Sequence, residues 1–291
     1  MGLPRWLWVV IALAVLLTGL LAWRWLNRDI VPVKVAAVNR GPIEEIVSAS
    51  GLVNAPVYDL GAKLGGKIVK LLVKEGDLVR AGQELAEFDD TTRIIAPDKG
   101  IVAKINYRAG ETVMPAGEPA IVVINYDRSW VEAQIDEIDI AGVKVGDRVR
   151  ITTDDYPDKV FDGEIYWIAP LAELRQVGGR VKIDEESYVF FCKIKLIGLH
   201  QELLVNMSVN ADIISRHKDN VLLVPREALV SQDDHQVVYK IRNNRAGQSG
   251  VTIGIRSTAS VEALTGVAEG DLLAVSNVAK LKDRGRVKIE R

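Results

Sequence analysis

Cysteine is nearly absent from this sequence. Cys192 stands alone, which excludes an internal disulfide framework and a cysteine-built zinc site. Its setting, Val189-Phe190-Phe191-Cys192, reads as a small apolar core residue on a strand. Histidine is scarce too. His200, His217 and His235 are dispersed, none with a partner at metal-ligand spacing, and they read as solvated or loop residues. The chain has no Gly-x-Ser-x-Gly elbow, no phosphate-binding glycine motif ending in Lys-Ser or Lys-Thr, and no zincin histidine pair. It has no basic run, and its formal net charge is -2, which sets nucleic-acid binding aside. Long amphipathic helical patterns are missing as well. The best helical stretch is brief, Glu132 to Ala141, with Asp136 as a possible cap. The acidic pairs Asp89-Asp90, Asp154-Asp155 and Asp233-Asp234 read as turn residues, and Asp184-Glu185-Glu186 as a solvated loop. No catalytic, cofactor-binding or metal-ligating residue is expected.

One long apolar run is present. Trp6 to Trp25 reads WLWVVIALAVLLTGLLAWRW, with Arg24 as its only charge. Twenty helical residues rise about 30 Å, enough to cross a bilayer core. Trp6, Trp8, Trp23 and Trp25 stand at its two ends, where indoles favour the membrane interface. No small-x-small cleavage site and no lipidation cysteine follow. The run therefore predicts a retained anchor over residues 5–27, with the rest of the chain beyond the inner membrane.

After the anchor, short runs alternate apolar and polar residues between Gly, Pro, Asn and Asp. Val33-Lys34-Val35, Trp130-Val131-Glu132-Ala133 and Val237-Val238-Tyr239 are examples. This is the signature of short strands, so a mainly β chain of small sandwiches or barrels is expected. An internal repeat lies within it. GKIVKLLVKEGDLVRAGQELA begins at Gly66 and GIVAKINYRAGETVMPAGEPA at Gly100. Gly76 and Gly110 match at the same offset, 34 positions. Each copy encodes a strand, a Gly-Asp or Gly-Glu turn, a short strand, an Ala-Gly turn and another strand. One copy has too little apolar surface to fold alone, so the two are expected to pack together.

These residues resemble a known module. GKIVKLLVKEGDLVRAGQELAEFD is similar to the first half of a lipoyl/biotinyl domain, and IIAPDKGIVAKINYRAGETVMPAG to the second. Ala96-Pro97 followed by Gly100-Ile101-Val102 resembles the form found in HlyD-like membrane-fusion proteins, the periplasmic adaptor subunits. The flanks extend the likeness. Ser129 to Ala133, Val145-Gly146-Asp147, Phe161 to Ile165 and Ile168-Ala169-Pro170 are similar to the family's β-barrel domain. Leu203 to Val209 resembles its barrel-closing strand, with Asn206 where the family often has glycine. Val221 to Leu229 and Gly266 to Asp271 resemble the membrane-proximal domain. Leu171 to Arg180 resembles an exposed excursion between barrel strands.

The resemblance implies a nested layout: a transmembrane anchor at 5–27; a membrane-proximal β-domain from 30–58 plus 217–291; a lipoyl-like sandwich at 59–124; and a β-barrel at 125–216, with a contribution from about 43–58. It implies a periplasmic adaptor of an inner-membrane exporter without catalysis or cofactor of its own, forming homo-oligomers. The transporter is expected to be ABC-type more than a proton-driven RND pump. Two departures matter. Many members insert a long helical hairpin between the lipoyl halves, yet only Asp90 to Ile95, six residues, separate Asp89 from Ala96 here. Six residues leave no length for a coiled coil and its return, so an outer-membrane channel is not contacted through a hairpin. A swinging-arm carrier presents a lysine at that turn. Here it reads Phe88-Asp89-Asp90-Thr91-Thr92-Arg93, and Lys99 is poorly placed. The alternatives are a lipoyl or biotin carrier and an envelope structural protein.

Overall fold

The computed structural model describes residues 30–62, 65–115, 117–177, 180–181, 187–198, 202–232 and 235–290. The expected anchor over residues 5–27 lies outside the described residues, among which no helix is long and apolar enough to cross a membrane. The described chain is strands joined by turns, with helical structure confined to three-residue 3-10 turns. The chain divides into two compact units. One joins residues 1–45 to 216–291, and the other spans 46–215. Two long strands, Asn39–Asn54 and Ser208–Pro225, contribute residues to both.

Within the 46–215 unit, the repeat builds two four-stranded sheets by exchange. Thr112–Val113, from the second copy, pairs with Gly66–Leu71 of the first. Leu78–Val79, from the first copy, pairs with Gly100–Ile105 of the second. The register obeys the sequence offset: Thr112 faces Lys67 as Leu78 faces Ile101. The turns obey it too. The Gly76 N–H donates to the Val102 carbonyl at 2.8 Å, and the Gly110 N–H to the Ile68 carbonyl at 2.7 Å. Both glycines hold positive φ, 87° and 96°, a region disfavoured for residues with a Cβ. Asp77 and Glu111 fasten their turns alike, each accepting at 2.8 Å from the backbone N–H three residues earlier. The module thus carries an internal two-fold relation. Its shared core takes Ile68, Leu85 and Phe88 from one copy and Val102, Val113 and Ile121 from the other.

The second body of this unit is a closed barrel of six strands. Its order is Arg148–Thr152, Phe161–Leu174, Tyr188–Ile197, Trp130–Asp136, Asn39–Asn54 and Ser208–Pro225, which pairs back to Arg148–Thr152. Closure leaves no free sheet edge. Inward-facing Val131, Ala133, Ile135, Ile151, Ile165, Ile194 and Ile213 fill it.

Three sequence expectations change here. Glu132 to Ala141 is not a helix. Trp130–Asp136 is a strand whose alternate residues, Val131, Ala133 and Ile135, are fully buried. Its period of two serves a strand paired on both sides, against Asn39–Asn54 and Tyr188–Ile197; only Ile140–Gly142 makes a 3-10 turn. Asp136 caps nothing and instead meets Arg175. Leu171 to Arg180 is not simply a loop. The strand Phe161–Leu174 slips register between Ile168 and Ala172 and then resumes against Tyr188–Phe190. Pro170 lies in the slip, where its missing N–H disrupts no ladder bond. Gln176–Val177 then pairs with Arg180–Val181. Finally, the barrel-closing strand starts later than Leu203. Leu204 to Met207 form a turn, and the strand begins at Ser208. Asn206 takes φ 68° there, doing the glycine's backbone work.

The other unit is a smaller β-body. His235–Arg242 pairs with Arg245–Arg256, which pairs with Ser260–Thr265. The strands just after the sequence's apolar run join this unit. Val31–Val33 lies parallel to Val287–Ile289, and Val35–Ala37 antiparallel to Leu272–Ala274. Gly266 and Gly270 hold positive φ at the turns between Thr265 and Leu272.

Candidate functional site at the closed end of the repeat module

Glu84–Phe88 runs to the point where the two halves meet, and Arg93–Ile95 returns beside it. The intervening turn is sealed by the backbone. The Thr91 N–H donates to the Phe88 carbonyl at 3.0 Å, and the Phe88 N–H to the Thr92 carbonyl at 2.8 Å. Thr91 takes φ 66°. The Asp90 carboxylate accepts from the Thr92 N–H at 2.9 Å and from the Thr92 hydroxyl, bonds that hold its pKa below the ordinary carboxylate value. Asp89 reaches back across the module: its N–H donates to the Lys67 carbonyl at 2.9 Å, and its carboxylate accepts from the Lys67 N–H at 3.2 Å. Arg93 pairs with Glu84 across the hairpin. Both aspartates of this acidic pair serve the turn, as short polar side chains do.

No lysine lies in this turn. Lys99 sits in the bend before Gly100–Ile105, where its ammonium meets the Asp127 carboxylate at 2.7 Å. That bond raises its pKa, which keeps the amine charged rather than nucleophilic.

A second polar cluster ties the module to the barrel. Asp98 accepts from the Lys99 N–H at 2.8 Å, the Asn125 amide at 3.0 Å and the Tyr58 hydroxyl at 3.1 Å. Arg128 approaches the same carboxylate at 3.4 Å. These bonds, the Lys99 N–H first, hold the Asp98 pKa low, while desolvation and then Asp98 raise that of Tyr58. Sequence inspection missed this cluster, because Tyr58, Asp98 and Asn125 are separated by 40 and 27 positions. Beside it an open groove of about 650 Å³ is lined by Leu78, Ile101, Ile124, Tyr126 and Leu204. Leu78 is 79% exposed.

The remaining sequence candidates separate. Cys192 is fully buried in the barrel core, and desolvation pushes its thiol up to about 12. His217 lies between carboxylates, 2.7 Å from Asp219 and 3.4 Å from Glu44. His235 starts a strand at the surface. His200, Asp184-Glu185-Glu186 and Asp233-Asp234 lie outside the described residues. Asp154 and Asp155 form a turn in which Asp155 approaches the Thr153 hydroxyl at 3.4 Å. Among the described residues no three His, Cys, Asp or Glu converge as a metal site.

Comparison with known proteins accounts for this arrangement. The barrel-sandwich hybrid domain of RND membrane-fusion proteins matches residues 57–125, and the YknX-like β-barrel domain matches 129–213. The macrolide export protein MacA of Shigella flexneri is 27% identical over 190 residues, 64% of this chain and 49% of its own length. The efflux system component YknX of Bacillus subtilis is 23% identical over 220 residues, 74% of this chain and 56% of its own. The pyoverdine export membrane fusion protein PvdR of Pseudomonas putida is 39% identical over 94 residues, 32% of this chain and 24% of its own. The chain thus spans about half the length of curated relatives such as MacA, 49%. Crystalline MacA from Actinobacillus actinomycetemcomitans shares the fold with a TM-score of 0.66 at 21% identity, covering 83% of this chain and 99% of that one. With the sandwich and barrel models matched in succession along a mainly β chain, this protein belongs to the membrane-fusion, or periplasmic adaptor, family.

Proposed function

We propose that this chain is the periplasmic adaptor of an inner-membrane export system, anchored by residues 5–27 and bridging or regulating its transporter without catalysis of its own. The observation that carries the reading is the sandwich of two exchanged repeat copies closed by the turn Asp89 to Thr92. It supplies a rigid β-body with neither a carrier lysine nor a hairpin. A body so closed acts as a short spacer beside its transporter, and this favours an ABC-type permease and ATPase over an RND pump. Exposed Leu78, Ile138 and Leu171 offer apolar surface for neighbouring copies of the chain. In the native host, the full chain carrying a photo-crosslinking residue at Leu264, an exposed position on the strand Ser260–Thr265, is expected to capture a multi-span permease that co-purifies with an ATPase. Capture of a proton-driven pump would overturn the transporter class. Unchanged export on deletion, with no transporter captured, would overturn the adaptor reading itself. The carrier alternative predicts an intact mass raised by a lipoyl or biotinyl group; the adaptor reading predicts the bare chain mass.

A further inference from the structure

We propose that the unit formed by residues 1–45 and 216–291 carries a binding site for the phosphate-bearing headgroups of anionic membrane lipids, built on an arginine ladder. It rests on the anchored reading above only in placing this unit at a membrane surface.

Three arginines from three separate chain segments lie side by side. Arg242 and Arg245 face each other across the turn of the hairpin made by His235–Arg242 and Arg245–Arg256. Arg286 faces Arg245 on the other side through an antiparallel bridge. Opposed residues of an antiparallel pair share a face, and like charges so placed repel one another. Arg284 joins them: its N–H donates to the Ala246 carbonyl at 2.7 Å, and its side chain lines a groove of about 360 Å³ with Lys240, Arg242 and Arg245.

Neighbouring carboxylates neutralise this array only in part, two of them against Lys240, Arg242, Arg245, Arg284 and Arg286. Asp271 is taken up by Lys240 at 2.7 Å and Arg242 at 2.9 Å. Asp283 accepts from the Gln248 N–H at 3.0 Å and stands 3.8 Å from Arg284. Arg245, Arg286 and Lys288 are exposed and have no carboxylate partner among the described residues. The backbone register keeps these arginines close together, and an anion that enters relieves the repulsion among them. Arginine's planar fork suits a phosphate's oxygens.

The charge of the whole unit points the same way. Beyond the apolar run, residues 30–45 and 216–291 hold fifteen Lys and Arg against eleven Asp and Glu, net +4; residues 46–215 hold nineteen against twenty-seven, net -8. A membrane is favoured over an acidic protein because of where the ladder is tethered. The Val31 N–H donates to the Arg286 carbonyl at 3.2 Å. Val31 follows Trp25, the end of the apolar run, by six residues, at most about 20 Å of chain. An anchor in the bilayer therefore holds Arg286 and its neighbours within a short reach of the headgroups.

The test uses the full chain in a neutral detergent. Binding of short-chain phosphatidylglycerol and of phosphatidylcholine with the same acyl chains is measured by calorimetry, each below its micelle-forming concentration. The expected result is a preference for phosphatidylglycerol that weakens with salt. That preference is expected to fall about fivefold per arginine removed, so on the order of a hundredfold in Arg245→Gln/Arg284→Gln/Arg286→Gln. The corresponding triple lysine variant is expected to keep most of it. Equal affinity for the two lipids in the wild type would overturn the proposal, as would a preference untouched by the glutamine variant. Equal loss in the lysine variant would remove charge as the cause. Competition by inorganic phosphate as strong as that by the lipid would reassign the ladder to free anions. Alkaline extraction of native membranes tests the anchor separately: release of the chain would sink the anchored reading, while a retained chain without lipid preference would sink the ladder alone.

Discussion

Asp271 is the charge on which the 216–291 unit depends most. Its side chain is 7% exposed. It accepts from Lys240 at 2.7 Å, from Arg242 at 2.9 Å and from the Ala268 N–H at 3.0 Å. The Lys240 bond is the largest influence, and the carboxyl is held down at about 2 against an ordinary 3.8. A carboxyl with a depressed folded-state pKa adds stability above its unfolded pKa and loses it as pH falls toward the folded value. The difference corresponds to about 2 kcal/mol, present at neutral pH and lost between about pH 4 and pH 2. Asp271→Asn keeps the shape and removes the charge. It is expected to lower the opening free energy of this unit by about 2 kcal/mol at pH 7, a roughly thirtyfold acceleration of hydrogen exchange. The amides to follow are those of His235–Arg242 and Leu272–Ala274, corrected for intrinsic rates. Trp130–Asp136 belongs to the 46–215 unit, so the exchange of its amides serves as a control that stays unchanged. The wild type should lose protection on acidification over that range, and the variant should not. A variant that exchanges like the wild type at pH 7, or that loses as much protection in acid, would refute the reasoning.

Three further outcomes are expected. Ile194, fully buried in the barrel, should cost about 3 kcal/mol when changed to Ala, seen as a shift in the urea transition of tryptophan fluorescence. Asn206, at φ 68°, should tolerate Gly with little change, whereas Asn206→Val should lose about 1–2 kcal/mol in the same assay, because a β-branched side chain disfavours that conformation. Cys192, buried with its thiol near 12, should resist iodoacetamide at pH 8 in the folded chain and react in denaturant; alkylation at equal rates in both states would show the thiol to be open.

The sequence is most legible where geometry repeats. Glycines at a constant offset of 34 positions reveal the two copies, and each turn needs a positive φ that glycine supplies most readily. Strand exchange between the copies leaves no comparable mark, because a copy folded on itself would show the same alternation of side chains. Trp130–Asp136 misleads for a related reason: Glu132, Gln134 and Asp136 are good surface residues for either element, and only the two flanking strands decide between them. The polar cluster on Asp98 and the arginine ladder are less legible still. Their members come from distant segments, and chain order says nothing about which side chains a sheet register will bring together. No basic run marks the ladder along the chain, even though Arg242, Arg245 and Arg286 form a row across two paired strands and a single bridge. The electrostatic relief of such a row belongs to the pairing register. A one-residue slip at Arg245 would turn its side chain to the other face and abolish the row without altering composition, net charge or any motif. Sequence alone thus bounds the unit's overall charge, while the ladder exists only once the strands are paired.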